Sequence, residues 1–579
     1  MCGIAGVIGD RRAAELVRGM VQVQRHRGPD GEGFFTDPSG DVALGHRRLA
    51  IFDLSAAGAQ PMTSADGRWT IVLNGELFNY VELRQELEGP FQTATDTEVL
   101  LRACVEWGME RTLDRSIGMF AFALWDARER ELTLARDRVG EKPLVYFHQG
   151  GMLAFASELK ALAPFHDRRL DSQALDAYLA LGYIPAPLAI FRGCRKLEPG
   201  CLLRFKDGGA EVRRWWYPEN ASGREPGAER TRAERVARLR SLVADAVRLR
   251  LRADVPVAIF LSGGVDSSVI AAECARQGSR IAAFTADFGG GHPDVPHAGR
   301  VAEHLGLRHE VLRIEAKQEV AGGFGQLFWH YDEPFADSSS IPSFALARAL
   351  RGRYRVVLNG EGGDEAFGGY RHYEHIAAKQ ALKAAAAAIG FADGATNVYV
   401  ESKTTFREGE RTRLMNGGSN GNSLSWLLQR GQYLAPPGRG TLKRAMWSDR
   451  QLYLPNNLTF KVDIALAGNA IEGRGPFLDH RLLEWTQSLA EEELVNGREK
   501  KVLLRAAYQD DLPANVLCRT KQGFGAPIEQ WLEGPLREWV RDVTPSPLLE
   551  RGPQKHLKGQ QLWTMAAFAG WAREWRATW

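Results

Sequence analysis

Cysteine is scarce in this sequence, with six in 579 residues, at positions 2, 104, 194, 201, 274 and 518. No two of them form a C-x-x-C pair, which argues against a zinc ribbon and against a dithiol redox site. Such sparse use suits a reducing cytoplasm. No apolar run approaches the ~20 residues that span a bilayer. The first residues lack a basic stretch followed by a long apolar core, so no secretory signal peptide is expected. Charge of one sign is lacking too. The chain carries 74 Lys and Arg against 71 Asp and Glu, a net charge of +3. That is too small to drive binding to nucleic acid or to an anionic membrane. The usual phosphate loop, GxxxxGK[ST], is missing. What is present is a chain 44% hydrophobic and 25% charged, the composition of a globular protein long enough for two or more domains.

Residues 255–268 read VPVAIFLSGGVDSS. Val255 to Leu261 suits one buried strand and is too short for an ordinary helix. Ser262-Gly263-Gly264 must then turn sharply, which glycine permits. Asp266-Ser267-Ser268 opens a helix with small polar residues suited to its free N–H groups. A strand, a glycine turn and a helix N-terminus together favour an anion. Asp266 would repel a phosphate unless Mg²⁺ sat between them. The string LSGGVDSS resembles the pyrophosphate loop of the ATP pyrophosphatase superfamily. Its members activate a carboxylate or carbonyl as an adenylate and release pyrophosphate.

The chain begins Met1-Cys2-Gly3. The small Cys2 side chain favours removal of Met1, which would leave Cys2 with a free α-amine. Such an amine titrates near 7.7–8.0 and can act as general base to its own thiol. Further strings follow in order. They are Arg25-His26-Arg27-Gly28-Pro29-Asp30, Gly45-His46-Arg47-Arg48 and Asn74-Gly75-Glu76, the last read as a strand ending in an Asn-Gly turn. Thr95-Asp96-Thr97-Glu98 reads as a helix cap. Together after Met-Cys-Gly they resemble the class II glutamine amidotransferase domain, an N-terminal nucleophile hydrolase. The resemblance implies that Cys2 attacks the glutamine amide and that Arg48 pairs with the α-carboxylate. It also implies that Glu76 and Asp96 hold the α-ammonium, while Asn74 and the Gly75 N–H bind the oxyanion. Asp30 is expected to order its loop. Gly118–Asp126 alternates as a sandwich strand, with a hairpin partner over Leu132–Asp137. Ser157-Glu158-Leu159-Lys160 has the charge of a surface helix, yet the resemblance implies that it lies near the face between two domains.

Tyr217–Glu234 is rich in Pro, Gly, Glu and Arg and reads as a solvated linker. Beyond it, strands and helices alternate, the mark of a parallel sheet covered on both faces. Arg355–Leu358 is a buried strand ending in Asn359-Gly360-Glu361-Gly362-Gly363-Asp364. Asp364 and Asp266 could hold one Mg²⁺ from two strand ends, and Glu361 could position the acyl group or take a proton. Lys500 reads as a solvated side chain. Lys521–Pro527 is a glycine loop, and the Ala-rich stretch near 381–389 is helical.

With both parts in hand the chain resembles the glutamine-dependent asparagine synthetase family over nearly its whole length. The resemblance implies an N-terminal αββα sandwich over 1–215 and a parallel-sheet α/β adenylating domain over 216–579. It implies that ATP lies against Leu261, Ser262, Gly263, Gly264, Asp266, Ser267 and Ser268, against Ala286, and against Asn359, Gly360 and Asp364. Lys501 would offset charge as pyrophosphate leaves. Glutamine, ATP and aspartate or another carboxylic acid are the implied substrates. A homodimer is left open. Ile464, Gly473 and Gly475 depart from the family pattern, as does Ala286-Asp287-Phe288, and they bear on the acyl pocket. The same chemistry on another carboxylate, in a polysaccharide or natural-product pathway, is therefore the first rival. A β-lactam synthetase would lack the intact glutaminase set, and a tRNA-thiolating enzyme would want Cys pairs and a basic face. A non-catalytic glutamine- or nucleotide-binding regulator would not need Asp266, Glu361 and Asp364 together.

Overall fold

The computed structural model describes residues 1–217, 231–287, 292–374, 403–415, 426–427, 440–519, 528–543 and 557–578, less 315, 535 and 558; of 316–323 it describes the backbone. The glycine loop at 521–527, the Ala-rich stretch at 381–389, Phe288 and most of the expected linker lie outside the described residues.

The N-terminal part pairs two antiparallel six-stranded sheets. Gly3–Ile8 runs inside the first sheet, with Gly3 opposite Arg47 on one side and Ala5 opposite Ala156 on the other. Trp69–Leu77 runs in the second, paired with Gly118–Asp126. Apolar side chains of the inner faces, among them Ile4, Leu44, Val72, Ala121 and Phe155, fill the space between the sheets. Helix Ala13–Val23 covers the first sheet and helix Asp96–Trp107 the second. The αββα layering is therefore present. The first helix forms because Ala13, Val17, Met20 and Val21 share one face, and all four are buried. Each of the larger three contributes about 1.5–3 kcal/mol by burial. The second helix starts where Thr95 accepts a hydrogen bond from the Glu98 N–H at 3.2 Å.

One local expectation fails. Asn74-Gly75 makes no turn, because the strand runs on from Trp69 to Leu77 with Asn74 opposite Ala121 and Gly75 opposite Phe120. Gly75 instead takes a φ of +138° inside the ladder. A Cβ there would overlap the Met119 carbonyl. Glycine is needed for a positive φ and a close backbone approach within a strand, not for a hairpin.

The C-terminal part is built on a five-stranded parallel sheet. Its spatial order is Arg308–Arg313, Ala282–Asp287, Val257–Phe260, Val356–Leu358, Glu472–Arg474. The chain leaves Val257–Phe260 first to one side and later to the other. That reversal opens a crevice at the carboxyl ends of Val257–Phe260 and Val356–Leu358. The Ser262 loop and the Asn359 loop emerge there side by side. The edge strand Glu472–Arg474 faces the N-terminal sandwich, and the final helix, Gly559–Trp575, packs back toward it through a hydrogen bond from Tyr178 Oη to the Thr564 carbonyl at 2.7 Å. Among the described residues no helix is long and apolar enough to cross a membrane.

Candidate active sites

A cavity of about 440 Å³ opens at the crevice of the parallel sheet. Leu261, Ser262, Gly264, Asp266, Ser267, Ala286, Asn359, Gly360, Glu361, Asp364 and Lys501 line it. Gly263 and Ser268 stand behind that wall. Gly263 takes a φ of +65°, and a Cβ on it would lie 2.5 Å from the Ala298 nitrogen. Ser268 is fully buried beneath the loop. The loop is held by its own hydroxyls. Gly264 N–H donates to Ser262 Oγ at 3.2 Å, and the Ser262 and Ser267 hydroxyls share a hydrogen bond of 3.1 Å.

Asp266, Asp364 and Lys501 meet at the loop. Lys501 Nζ donates to Asp266 Oδ1 at 2.5 Å and pairs with Asp364 Oδ1 at 2.7 Å. Lys501 holds a left-handed φ of 56° just before helix Val502–Ala507. Such a conformation is costly for a long side chain and is typical of functional sites. The glycines around it are explained by the same three side chains. A Cβ on Gly363 would lie 2.6 Å from Asp266 Cγ, and one on Gly369 would overlap Asp364 Oδ1 and Lys501 Cε. Gly369 was not legible as part of the site, since one of the side chains that crowd it, Lys501, lies far away in sequence. Lys500 also differs from expectation. It is buried and paired with Glu374, so its ammonium is not solvated.

At the other site Cys2 lies partly buried, its thiol 3.9 Å from the Leu49 carbonyl. Burial pushes the thiol up and pushes the terminal amine of Met1 down, while each group's charge partly offsets the shift of the other. Asn74 is fully buried. Its Nδ2 makes one long bond of 3.5 Å to Ser157 Oγ, and its Oδ1 has no hydrogen-bond partner among the described residues. The Arg48 guanidinium is held over the 52–55 loop by the carbonyls of Phe52 at 3.3 Å, Asp53 and Ser55 at 2.6 Å. Glu76 and Asp96 are buried acids. Burial, with Glu472 close by, raises both, Asp96 to about 6 and Glu76 well above its ordinary value. Asp96 Oδ2 accepts the Leu77 N–H at 2.7 Å. Two buried carboxyls, Glu76 pairing only loosely with Arg474 at 3.9 Å, suit a ligand ammonium.

Glu472 and Arg474, from the edge strand of the distant sheet, reach this site. Arg474 donates to Glu472 Oε1 at 2.7 Å and stands 3.9 Å from Glu76 Oε1, with its guanidinium carbon 5.3 Å from the centre of the Phe78 ring. No local signal in the sequence marks either residue as part of the thiol site.

Between the sites runs a buried charged network. Arg27 donates to the Cys2 carbonyl at 2.8 Å, to Glu158 at 3.0 Å and to Asp463 of the C-terminal part at 2.8 Å. Lys160 bridges Glu158 and Asp332, both at 2.7 Å. Lys142 reaches Asp463 at 3.4 Å. The string 157–160 is thus no surface helix. Its charges are buried at the face between the two parts, as the resemblance implied. Asp30 orders its loop by accepting the Ala50 N–H at 2.9 Å and also pairs with Arg355. Ile464 is buried in the helix Thr459–Ala467, and Leu466 of that helix packs where a side chain at Gly473 would go.

The chain matches two family models. Residues 1–216 match a glutamine amidotransferase domain and residues 238–577 match asparagine synthase. It is 30% identical over 576 residues to asparagine synthetase [glutamine-hydrolyzing] 1 of Bacillus subtilis (strain 168), covering 94% of this chain and 90% of that one. It is 32% identical over 624 residues to a putative asparagine synthetase [glutamine-hydrolyzing] of Mycobacterium tuberculosis (strain ATCC 25618 / H37Rv), covering 98% of this chain and 95% of that one. A more distant relative, amidase chry2 of Gibberella zeae, is 26% identical over 625 residues, covering 94% of this chain and 91% of that one. With a thiol site at one end, a phosphate-type loop at the other and family matches over both, the chain belongs to the asparagine synthetase family and carries its glutamine amidotransferase domain.

Proposed function

We propose that the protein makes asparagine from aspartate, taking nitrogen from glutamine and activating the acid with ATP. The observation that carries this is the meeting of Asp266, Asp364 and Lys501 beside the Ser262 loop, in a chain whose other end presents Cys2. The two halves are assigned as 1–215 and 216–579, and the enzyme is assigned to the cytoplasm.

Removal of Met1 frees the Cys2 amine, which takes the thiol proton. The thiolate attacks the side-chain amide of glutamine. Arg48 binds the substrate carboxylate, and Glu76 and Asp96 bind its ammonium. Asn74 Nδ2 and the Gly75 N–H take the oxyanion. Ammonia leaves, and water then releases glutamate from the thioester.

In the cavity the β-carboxylate of aspartate attacks the α-phosphorus of ATP, giving β-aspartyl-AMP and pyrophosphate. Two carboxylates converging on one cation, here the Lys501 ammonium, make a cradle that fits Mg²⁺. Bound by Asp266 and Asp364, Mg²⁺ would neutralise phosphate charge. Lys501 stays beside the phosphates and offsets charge as pyrophosphate leaves. Glu361 orients the acyl group and accepts a proton when ammonia attacks it, releasing AMP and asparagine. Ammonia must travel inside the protein, since in water near pH 7 it becomes ammonium and loses its nucleophilic lone pair.

One assay tests the reading. The protein is given ATP, Mg²⁺, ammonium and one carboxylic acid at a time. Aspartate should release AMP and pyrophosphate with an equal amount of asparagine. Release with another acid and none with aspartate would move the chemistry to that acid.

A further inference from the structure

Inside the cavity, besides the Asp266–Lys501–Asp364 cluster, a second set of charges lines the wall. Lys461 comes from helix Thr459–Ala467, and Asp337 and Ser339 come from the loop before helix Ser340–Leu350. Lys461 Nζ donates to Ser339 Oγ at 2.9 Å, and Ser339 Oγ donates to Asp337 Oδ1 at 2.6 Å. Lys461 and Asp337 Oδ2 stand 3.6 Å apart. That is an ion pair but too long for a hydrogen bond. Among the described residues, Asp337 Oδ2 receives no hydrogen bond, and Lys461 gives one of its three N–H groups, to Ser339. Lys461 is only 5% exposed. A buried ammonium with unused donors is costly unless a ligand completes it. Asp337, Glu361 and Glu365 keep Lys461 protonated despite burial.

We infer that Lys461 and Asp337 recognise the amino-acid end of the acyl substrate, Lys461 taking its α-carboxylate and Asp337 its α-ammonium. This rests on the carboxylate-activating reading above. An ammonium and a carboxylate on one carbon stand as close together as this pair does. They can insert between the two side chains without changing the net charge of the cavity. Each protein charge then exchanges a loose partner for a hydrogen-bonded one. The second carboxylate of the substrate is left free to meet the phosphates. The substrate class is therefore an amino acid with an acidic side chain, not a simple dicarboxylic acid.

Two analogues separate the contacts. Succinate is aspartate without its amino group, and β-alanine is aspartate without its α-carboxylate. Pyrophosphate release from the full-length protein is measured with each acid, ATP, Mg²⁺ and ammonium chloride. Aspartate should exceed both analogues by ~100-fold or more in kcat/KM, because each analogue leaves one of the two charges without its ligand partner. Asp337→Asn should lower the preference over succinate at least tenfold and leave the preference over β-alanine. Lys461→Met should do the reverse. Asp337→Glu should keep the succinate discrimination, which a merely structural role would not require. Equal use of the three acids by the unaltered protein would overturn the inference, as would variants that depress all three acids equally. Release with none of the three would instead overturn aspartate as the acceptor.

Discussion

Replacing Asp96 by Asn should strengthen the fold while abolishing glutamine use. The Asp96 carboxyl titrates at about 6 rather than 3.8, chiefly because it is buried. Ionising it in the folded protein therefore costs about 3 kcal/mol at 1.36 kcal/mol per pH unit. The folded value lies above the unfolded one. The stabilising contribution of the neutral acid is thus fully present below about pH 4 and is lost as pH rises through about 6. Asp96→Asn keeps an acceptor for the Leu77 N–H and carries no charge. It should stabilise the free protein by about 3 kcal/mol at pH 8 and by only about 0.5 kcal/mol at pH 4. Urea unfolding of both proteins at the two pH values measures this, with glutaminase activity followed in parallel. Glutamine hydrolysis should fall by 100-fold or more, through loss of the ammonium partner. A stability gain independent of pH, or a variant that still hydrolyses glutamine well, would refute the reasoning.

Other outcomes follow from the same geometry. Cys2→Ala should end glutamine hydrolysis and spare synthesis from ammonium, measured as asparagine formed from each nitrogen source. Asp266→Ala should stop pyrophosphate release while glutaminase survives, and chelation of Mg²⁺ should have the same split effect. Gly369→Ala drives a methyl group into Asp364 and Lys501, so pyrophosphate release should drop about 100-fold with little change in glutaminase. Arg27→Met strips three hydrogen bonds and leaves Glu158 and Asp463 short of a partner. It should cost about 3–5 kcal/mol by denaturant unfolding.

Much of the fold was legible because its signals are local. The Thr95 cap depends on residues only three positions apart. The Ser262 loop was readable for the same reason, since strand, glycine turn and helix start are contiguous. The misreadings share a cause as well. Asn74-Gly75 has the composition of a turn, but pairing with Phe120 and Ala121 carries the strand through it. Glu158, Lys160 and Lys500 have the charge of surface residues. They are buried because Asp332, Arg27 and Glu374 arrive to neutralise them. Glu472 and Arg474 reach the thiol site only because the edge strand of one sheet faces the other part of the chain. No periodicity carries such long-range pairing.

The most direct test of two linked centres is isotopic. Glutamine labelled with ¹⁵N in its side-chain amide is supplied with ATP, Mg²⁺ and aspartate, in a bath containing excess unlabelled ammonium. Nitrogen passed internally predicts asparagine whose new amide carries the ¹⁵N label nearly undiluted. An amide enriched only to the level of the bath would mean that ammonia leaves the protein before it reacts, and that the thiol and the nucleotide cavity do not work as one enzyme.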